Sequence, residues 1–273
     1  MAIITISRGS FSKGKEVAEK VAARLGFQSV SREVILEASE DFSISQERLA
    51  KAIHDAPSIL ERFTYDKQKH IAYVAAEILA HFTEDNVVYH GLAGQFFAEN
   101  ISHLLKVRII ANMEDRIISL MERNNLRREQ AIKYLHKDDE DRKNWSYQLY
   151  GVDTADSSLY DLVIHIDKLN IDNAVDIICQ AATQPQFKTT PESHEAIANL
   201  SLAARTRAAL INDYPNTEVI AEGDAVEISV RSPLSADTGL AEQIKEKALQ
   251  VPGVASVVVK LIPTSLYVFR GLT

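Results

Sequence analysis

The chain has 273 residues, 46% of them apolar, and a formal net charge of −8. That length predicts one large or two ordinary domains with a sizeable core, and the acidic balance argues against broad nucleic-acid binding. Cys179 is the only cysteine, which excludes an internal disulfide and a thiolate metal cluster.

The first stretch carries the strongest signal. Residues 3–6 are a short apolar run that reads as a buried strand, a loop spans 8–14, and helical spacing begins near Lys13. Gly9, Gly14 and Lys15 fit all but the last position of the phosphate-cradling pattern G-x-x-x-x-G-K-[ST]. In such a loop, glycines let backbone N–H groups approach an anion, and the new helix aims its positive end at it. The last position, where a hydroxyl would hold magnesium, is Glu16. Phosphate contact is expected from Gly9, Ser10, Phe11, Ser12, Lys13, Gly14, Lys15 and Glu16, with Lys15 reaching the outer phosphates. The alternative is a plain strand–turn–helix that binds nothing.

Further along, Val17, Val21, Ala22 and Leu25 share one face of the first helix, and Gly26 stops it. Residues 27–30 read as a second strand, helix starts follow at Ser31 and Ser45, and 69–82 is a long amphipathic helix. Residues 86–90 form a strand ending in a second turn at Gly91 and Gly94. The run 105–111 (LKVRIIA) is another strand. Asn112 caps the helix that carries Arg116. Residues 127–141 are helical and heavily charged, and 142–150 add Trp145. A last strand at 161–166 and a helix at 170–182 close this half. The alternation predicts an α/β fold, a parallel sheet with helices on both faces and ligands at the carboxyl ends of its strands.

Composition changes at 183–195, where two prolines and polar residues read as a linker. Beyond it, 196–212 is helical. Residues 217–221 and 225–231 are hairpin strands around Glu222-Gly223-Asp224, Ser235 can cap a helix, and 254–262 is a strand. This α-β-β-α-β order predicts a small α+β domain. The expected organisation is 1–182, a linker at 183–195, and 196–273. The eight histidines lack metal-ligand spacing, so no metal site of protein ligands is expected. No apolar run approaches the ~18 residues of a membrane span. The N-terminus lacks the pattern of a signal peptide. A cytoplasmic protein without stable membrane insertion is expected.

Taken together, ITISRGSFSKGKEVAEKVAARLGF, SREVI, VVYHGLAGQ, LKVRIIANMEDRI, the Asp141-Arg142 pair and SLYDLVIHID resemble the cytidylate kinase-like family. That family is a branch of the P-loop nucleoside monophosphate kinases, and the resemblance covers residues 1–182. It implies a P-loop NTPase sheet, phosphoryl transfer from ATP to a nucleoside monophosphate, magnesium and a mobile lid. Residues 7–16 resemble the family's Ser-Arg-Glu-Phe-Gly-Ser-Gly-Gly-Arg-Glu loop. Gly14 and Glu16 match it, Lys15 stands for Arg, and Phe11 and Lys13 replace glycines. By the same resemblance Arg32 matches an acceptor-phosphate contact, Arg116 a helix arginine near the donor base, and Arg142 a lid arginine that clamps the transferring phosphate. At Gly91, expected beside the acceptor, the family's Gly-Arg is Gly91-Leu92. Residues 196–262 resemble a BON domain, which implies a protein or small-ligand partner.

The expectation is thus an ATP- and magnesium-dependent nucleoside monophosphate kinase with Lys15 and Arg142 as catalytic residues. A second reading, from another class, is a non-catalytic nucleotide-binding sensor whose second domain reports to a partner. A third is a structural protein.

Overall fold

The computed structural model describes residues 2–31, 65–91, 94–232 and 239–263, without the side chains of 65–67, 70, 145, 148, 149, 232 and 263. Arg32, Leu92, Ser235, the helix start at Ser45 and the Trp145 side chain lie outside the described residues. The chain divides into two compact units, Met1–Phe63 with Glu77–Ile197, and Thr64–Ala76 with Ala198–Thr273.

In the first unit the strand β1 (Ile3–Arg8) is the centre of a five-stranded parallel sheet. Its order is β2-β3-β1-β4-β5, with β2 (Gln28–Ser31), β3 (Val87–His90), β4 (Leu104–Ala111) and β5 (Leu162–Ile166). The side-chain period of two splits each strand between two faces. On one face Ile4, Ile6, Val107, Ile109 and Ile164 bury against α1 (Gly14–Leu25) and a later helix, Ile171–Ala182, through Val17, Val21, Val175 and Ile178. The two helices are also tied at their rims, where Lys20 Nζ lies 2.9 Å from Asp172 and Arg24 pairs with Asp176. On the other face Ser7 of β1 stands beside Arg108 of β4 in register. A charged residue in the middle of a parallel sheet departs from the apolar rule for such strands.

Between β2 and β4 come α2 (Tyr65–Phe82) and the single turn α3 (Gly94–Phe97). After β4, α4 (Met113–Asn124) and α5 (Arg128–Tyr150) pack on each other. Their shared apolar seam is Ile117 and Leu120 against Ala131 and Leu135. Asn125, in the left-handed region at φ 51°, ends α4 with its N–H on Met121 O. The chain turns back there, and the charged run read as helical at 127–141 is part of one continuous α5. The helix Ile171–Ala182, now α6, closes the sheet.

The next helix, α7 (Pro191–Leu210), starts five residues before the expected position at Ala196. Its start signal lies inside the polar stretch read as a linker. Thr190 N–H donates to Ser193 Oγ at 2.9 Å, Ser193 N–H donates to Thr190 Oγ1 at 3.2 Å, and Pro191 takes the first helical position. The second unit then holds β6 (Thr217–Glu222), β7 (Ala225–Ser232), α8 (Leu240–Ala248) and β8 (Ser256–Pro263), with strand order β6-β7-β8. The first pair is antiparallel, and the second is parallel across α8. Leu210, Val226, Ile228, Val230, Ile244, Ala248 and Val257 form its core.

Candidate phosphate-binding site

The loop after β1 is a tight turn. Ser12 closes it with two bonds to Gly9 O, from its N–H at 3.3 Å and its hydroxyl at 2.8 Å. Phe11 and Lys13 both take left-handed backbone, at φ 58° and 62°. These are the two positions where the family resemblance calls for glycine. The glycine-type path of the loop is thus kept by L-residues, at a cost of roughly 1–2 kcal/mol each. Phe11 offsets part of that cost by packing against the α4–α5 seam.

Lys13 is the cap position of α1 and makes no side-chain cap bond. The first helical bond runs from Val17 N–H to Lys13 O at 3.1 Å. The amides of Gly14, Lys15 and Glu16 consequently have no intrahelical acceptor, and they point out of a positive helix end. Gly14 is required sterically, because a Cβ there would meet Arg8 Cβ at 2.6 Å. Lys15 and Glu16 lie on the exposed first turn. Lys15 Nζ is 3.8 Å from Glu19, and Glu16 is 3.6 Å from Lys20 Nζ.

A cavity of about 280 Å³ opens beside this loop, under α5. Ser7, Gly9 and Ser12 line it from the β1 end, Arg108 from β4, Arg116 from α4, and Asp139, Arg142 and Lys143 from α5. Residues Asp153, Thr154 and Ala155 close the far wall. The charges are cross-linked. Arg116, 8% exposed, donates through Nε to Ser10 O at 2.7 Å and clasps Asp139 with two bonds of 2.7 and 2.8 Å. Arg142 Nε donates to Asp138 at 2.7 Å, and the Ser10 hydroxyl donates to the same carboxylate oxygen. Lys143 Nζ lies 2.8 Å from Asp153, and this bond holds the Asp153 carboxyl below its usual range. Asp141 goes the other way. Burial, with Asp138 and Glu140 nearby, raises its carboxyl pKa against the pull of Lys137.

Of the candidate residues, the structure brings Gly9, Ser12, Arg116 and Arg142 together around the cavity. Ser10 and Phe11 turn to α5 and the α4–α5 seam, and Lys13, Lys15 and Glu16 are exposed. Gly91 does not line the cavity. It makes room for Tyr89, whose hydroxyl would lie 2.5 Å from a Cβ at Gly91. Arg32 is outside the described residues. Arg108, Asp138 and Asp139 were not singled out from the sequence. For Arg108 the signal was present, as a cation alternating into an otherwise apolar parallel strand.

Nucleotide phosphates fit this arrangement, with free amides at a positive helix end and guanidinium groups beside them. Position 16 offers no hydroxyl for magnesium, and no group of three His, Cys, Asp or Glu side chains that could hold a metal ion occurs among the described residues. No described helix is long and apolar enough to cross a membrane.

A parallel sheet whose central strand runs through such a loop into an uncapped helix has the architecture of a P-loop type of α/β protein. Residues 3–168 match the model of the cytidylate kinase-like family, and the chain belongs to that family. It is 28% identical over 188 residues to a cytidylate kinase of Archaeoglobus fulgidus, covering 68% of this chain and 97% of that one. It is 27% identical over 179 residues to a cytidylate kinase of Sulfurisphaera tokodaii, covering 64% and 92%. A solved structure of an uncharacterised protein from Eubacterium ventriosum shares the fold, with a TM-score of 0.53 at 22% identity over 66% of this chain and 97% of that one.

Proposed function

We propose that this protein transfers a phosphoryl group from ATP to a nucleoside monophosphate. The observation that carries the reading is the uncapped start of α1, with its free amides, next to a cavity lined by Arg116 and Arg142. Phosphoryl transfer needs positioning and charge stabilisation more than a general base, and these groups supply both. The amides of Gly14, Lys15 and Glu16 hold donor phosphate oxygens. Lys15 leaves Glu19, an exposed and weakly held partner, and turns to the outer phosphates. Arg142 leaves Asp138 and grips the transferring group, and Arg116 flanks the donor. Arg32 is proposed as the acceptor contact. Magnesium, when bound with the nucleotide, neutralises phosphate charge. The domain from 196 on is proposed as BON-like and partner-binding.

The test is ADP release with Lys15→Ala and Arg142→Ala. Both variants are expected to keep the wild-type melting temperature, and turnover is expected to fall at least a hundredfold, on the order of one lost transition-state donor. Unchanged turnover in Lys15→Ala rejects the assignment. A second reading, nucleotide binding without turnover, is favoured by the pairing of Lys15 with Glu19 outside the cavity. ATP affinity combined with no ADP release for any monophosphate would select it.

A further inference from the structure

The cations around the cavity are not alike. Arg116 is neutralised by Asp139, Arg142 by Asp138, and Lys143 by Asp153. Arg108 makes no salt bridge among the described residues, although it stands near enough to Asp153 to help hold that carboxyl below its usual range, after Lys143 and the Ala155 amide. Its Nη1 donates to Thr154 O and, at 3.2 Å, to the Tyr160 hydroxyl. The guanidinium carbon sits 5.5 Å from the centre of the Tyr160 ring. Tyr160 in turn reaches Ser7 Oγ at 3.3 Å and Thr154 O at 3.0 Å. The hydrogen bonds that fix the guanidinium thus come from neutral groups, and the nearby Asp153 carboxylate is bonded to Lys143 instead. Its Nε and Nη2 make no hydrogen bond among the described residues.

This is a costly arrangement for a structural residue. A partly buried charge is normally paired, and a carbonyl and a phenol could be satisfied by a neutral donor. It suits a residue that completes its pairing with a ligand. The planar fork grips two oxygens of one oxyanion, and an aromatic ring behind it limits its motion. Arg108 also sits on β4 directly beside Ser7, at the end of the strand that leads into the phosphate loop. Gly9 and Ser12 of that loop line the same cavity as Arg108.

We propose that Arg108 is a specificity-determining residue that binds an oxyanion of the ligand on the β4 side of the cavity. The inference rests on the kinase reading and deepens it: the cavity selects a ligand with an anionic group on the β4 side. That oxyanion is the acceptor's phosphate or a phosphate of the donor. The two sources share one chemistry and separate by experiment.

The experiment is calorimetric titration of the full chain with inorganic phosphate, CMP and ATP, comparing wild type with R108Q and R108K. R108Q is expected to weaken binding of the recognised probe about tenfold or more, a difference of ~1.4 kcal/mol or above. R108K is expected to recover part of it, because the charge returns without the fork. Loss confined to CMP places the acceptor's phosphate at Arg108, and loss confined to ATP places the donor's. Wild-type affinity of R108Q for all three probes overturns the proposal, as does a wild type that binds none. A purely structural role would lower the melting temperature of R108Q and leave affinities alone, which also overturns it. ADP release, measured alongside on a nucleoside monophosphate panel, separates this outcome from the kinase reading. Weakened probe binding in R108Q without turnover in wild type would retain Arg108 and reject the kinase. Turnover with unaltered R108Q affinities would do the reverse.

Discussion

Asp138 joins the Ser10 hydroxyl and the Arg142 guanidinium. Asp139 clasps Arg116. A nucleotide bound as proposed competes with these carboxylates for the same groups. Removing Asp138 should therefore tighten ATP binding. Both partners are partly exposed, so the gain in Asp138→Ala is limited to about threefold to fivefold. A titration that finds weaker binding would show Asp138 to be a positioning residue instead. Lys13 carries a different cost. Its φ of 62° is left-handed and its side chain is exposed, so Lys13→Gly should stabilise the fold by about 0.5–1 kcal/mol, read from a denaturant midpoint. Phe11→Gly should give no such gain, because Phe11 packs on the α4–α5 seam. At this scale the sequence exposes the glycines and Lys15 but not Asp138 or Asp139. A charged helix segment reads as a solvated face, and only the fold shows which carboxylates reach the loop.

The elements divide into a rigid sheet and an arm. The α4–α5 arm depends on a short seam, with Leu120 and Leu135 fully buried. An outer pair adds to it, in which Arg128 clasps Glu114 with two bonds of 2.6 Å and holds the Glu114 carboxyl below its usual range. Leu135→Ala should cost ~2–5 kcal/mol, lowering the melting temperature, with nucleotide affinity falling as the arm loses its seat. In the turn before β4, His103 is fully buried, with Asp85 Oδ1 3.3 Å from its Nε2. Burial, aided by His194, lowers its pKa below the ordinary 6.5 despite Asp85. The folded state then binds the proton less readily than the unfolded chain. This contribution is fully present above pH 6.5 and is lost as the pH falls toward the lowered folded value. Unfolding free energies from urea titrations should drop between pH 7.5 and 5.5, by at most about 1.4 kcal/mol over the one pH unit below 6.5, and His103→Gln should flatten the drop. An equal drop in the variant would remove His103 from the explanation. Strand positions were readable because buried parallel strands are short apolar runs. The start of α7 was not, because Thr190, Pro191 and Ser193 form a helix cap from residues that also make linkers.

For the whole molecule, the α/β class followed from alternation of apolar strands and amphipathic helices. The parallel sheet of the first unit and the α-β-β-α-β order of the second agree with that reading. The candidate site was legible only in part. The sequence located the loop after β1, whereas the cavity wall comes from residues more than a hundred positions away, which no local pattern connects. Glycine-type φ at Phe11 and Lys13 shows that the loop keeps its path with L-residues at both positions.

Phosphoryl transfer is tested by ADP release from ATP and magnesium against a panel of nucleoside monophosphates. Turnover of about 1–100 s⁻¹ with one acceptor, lost in Lys15→Ala, is the predicted result. ATP binding with no ADP release for any acceptor would contradict it.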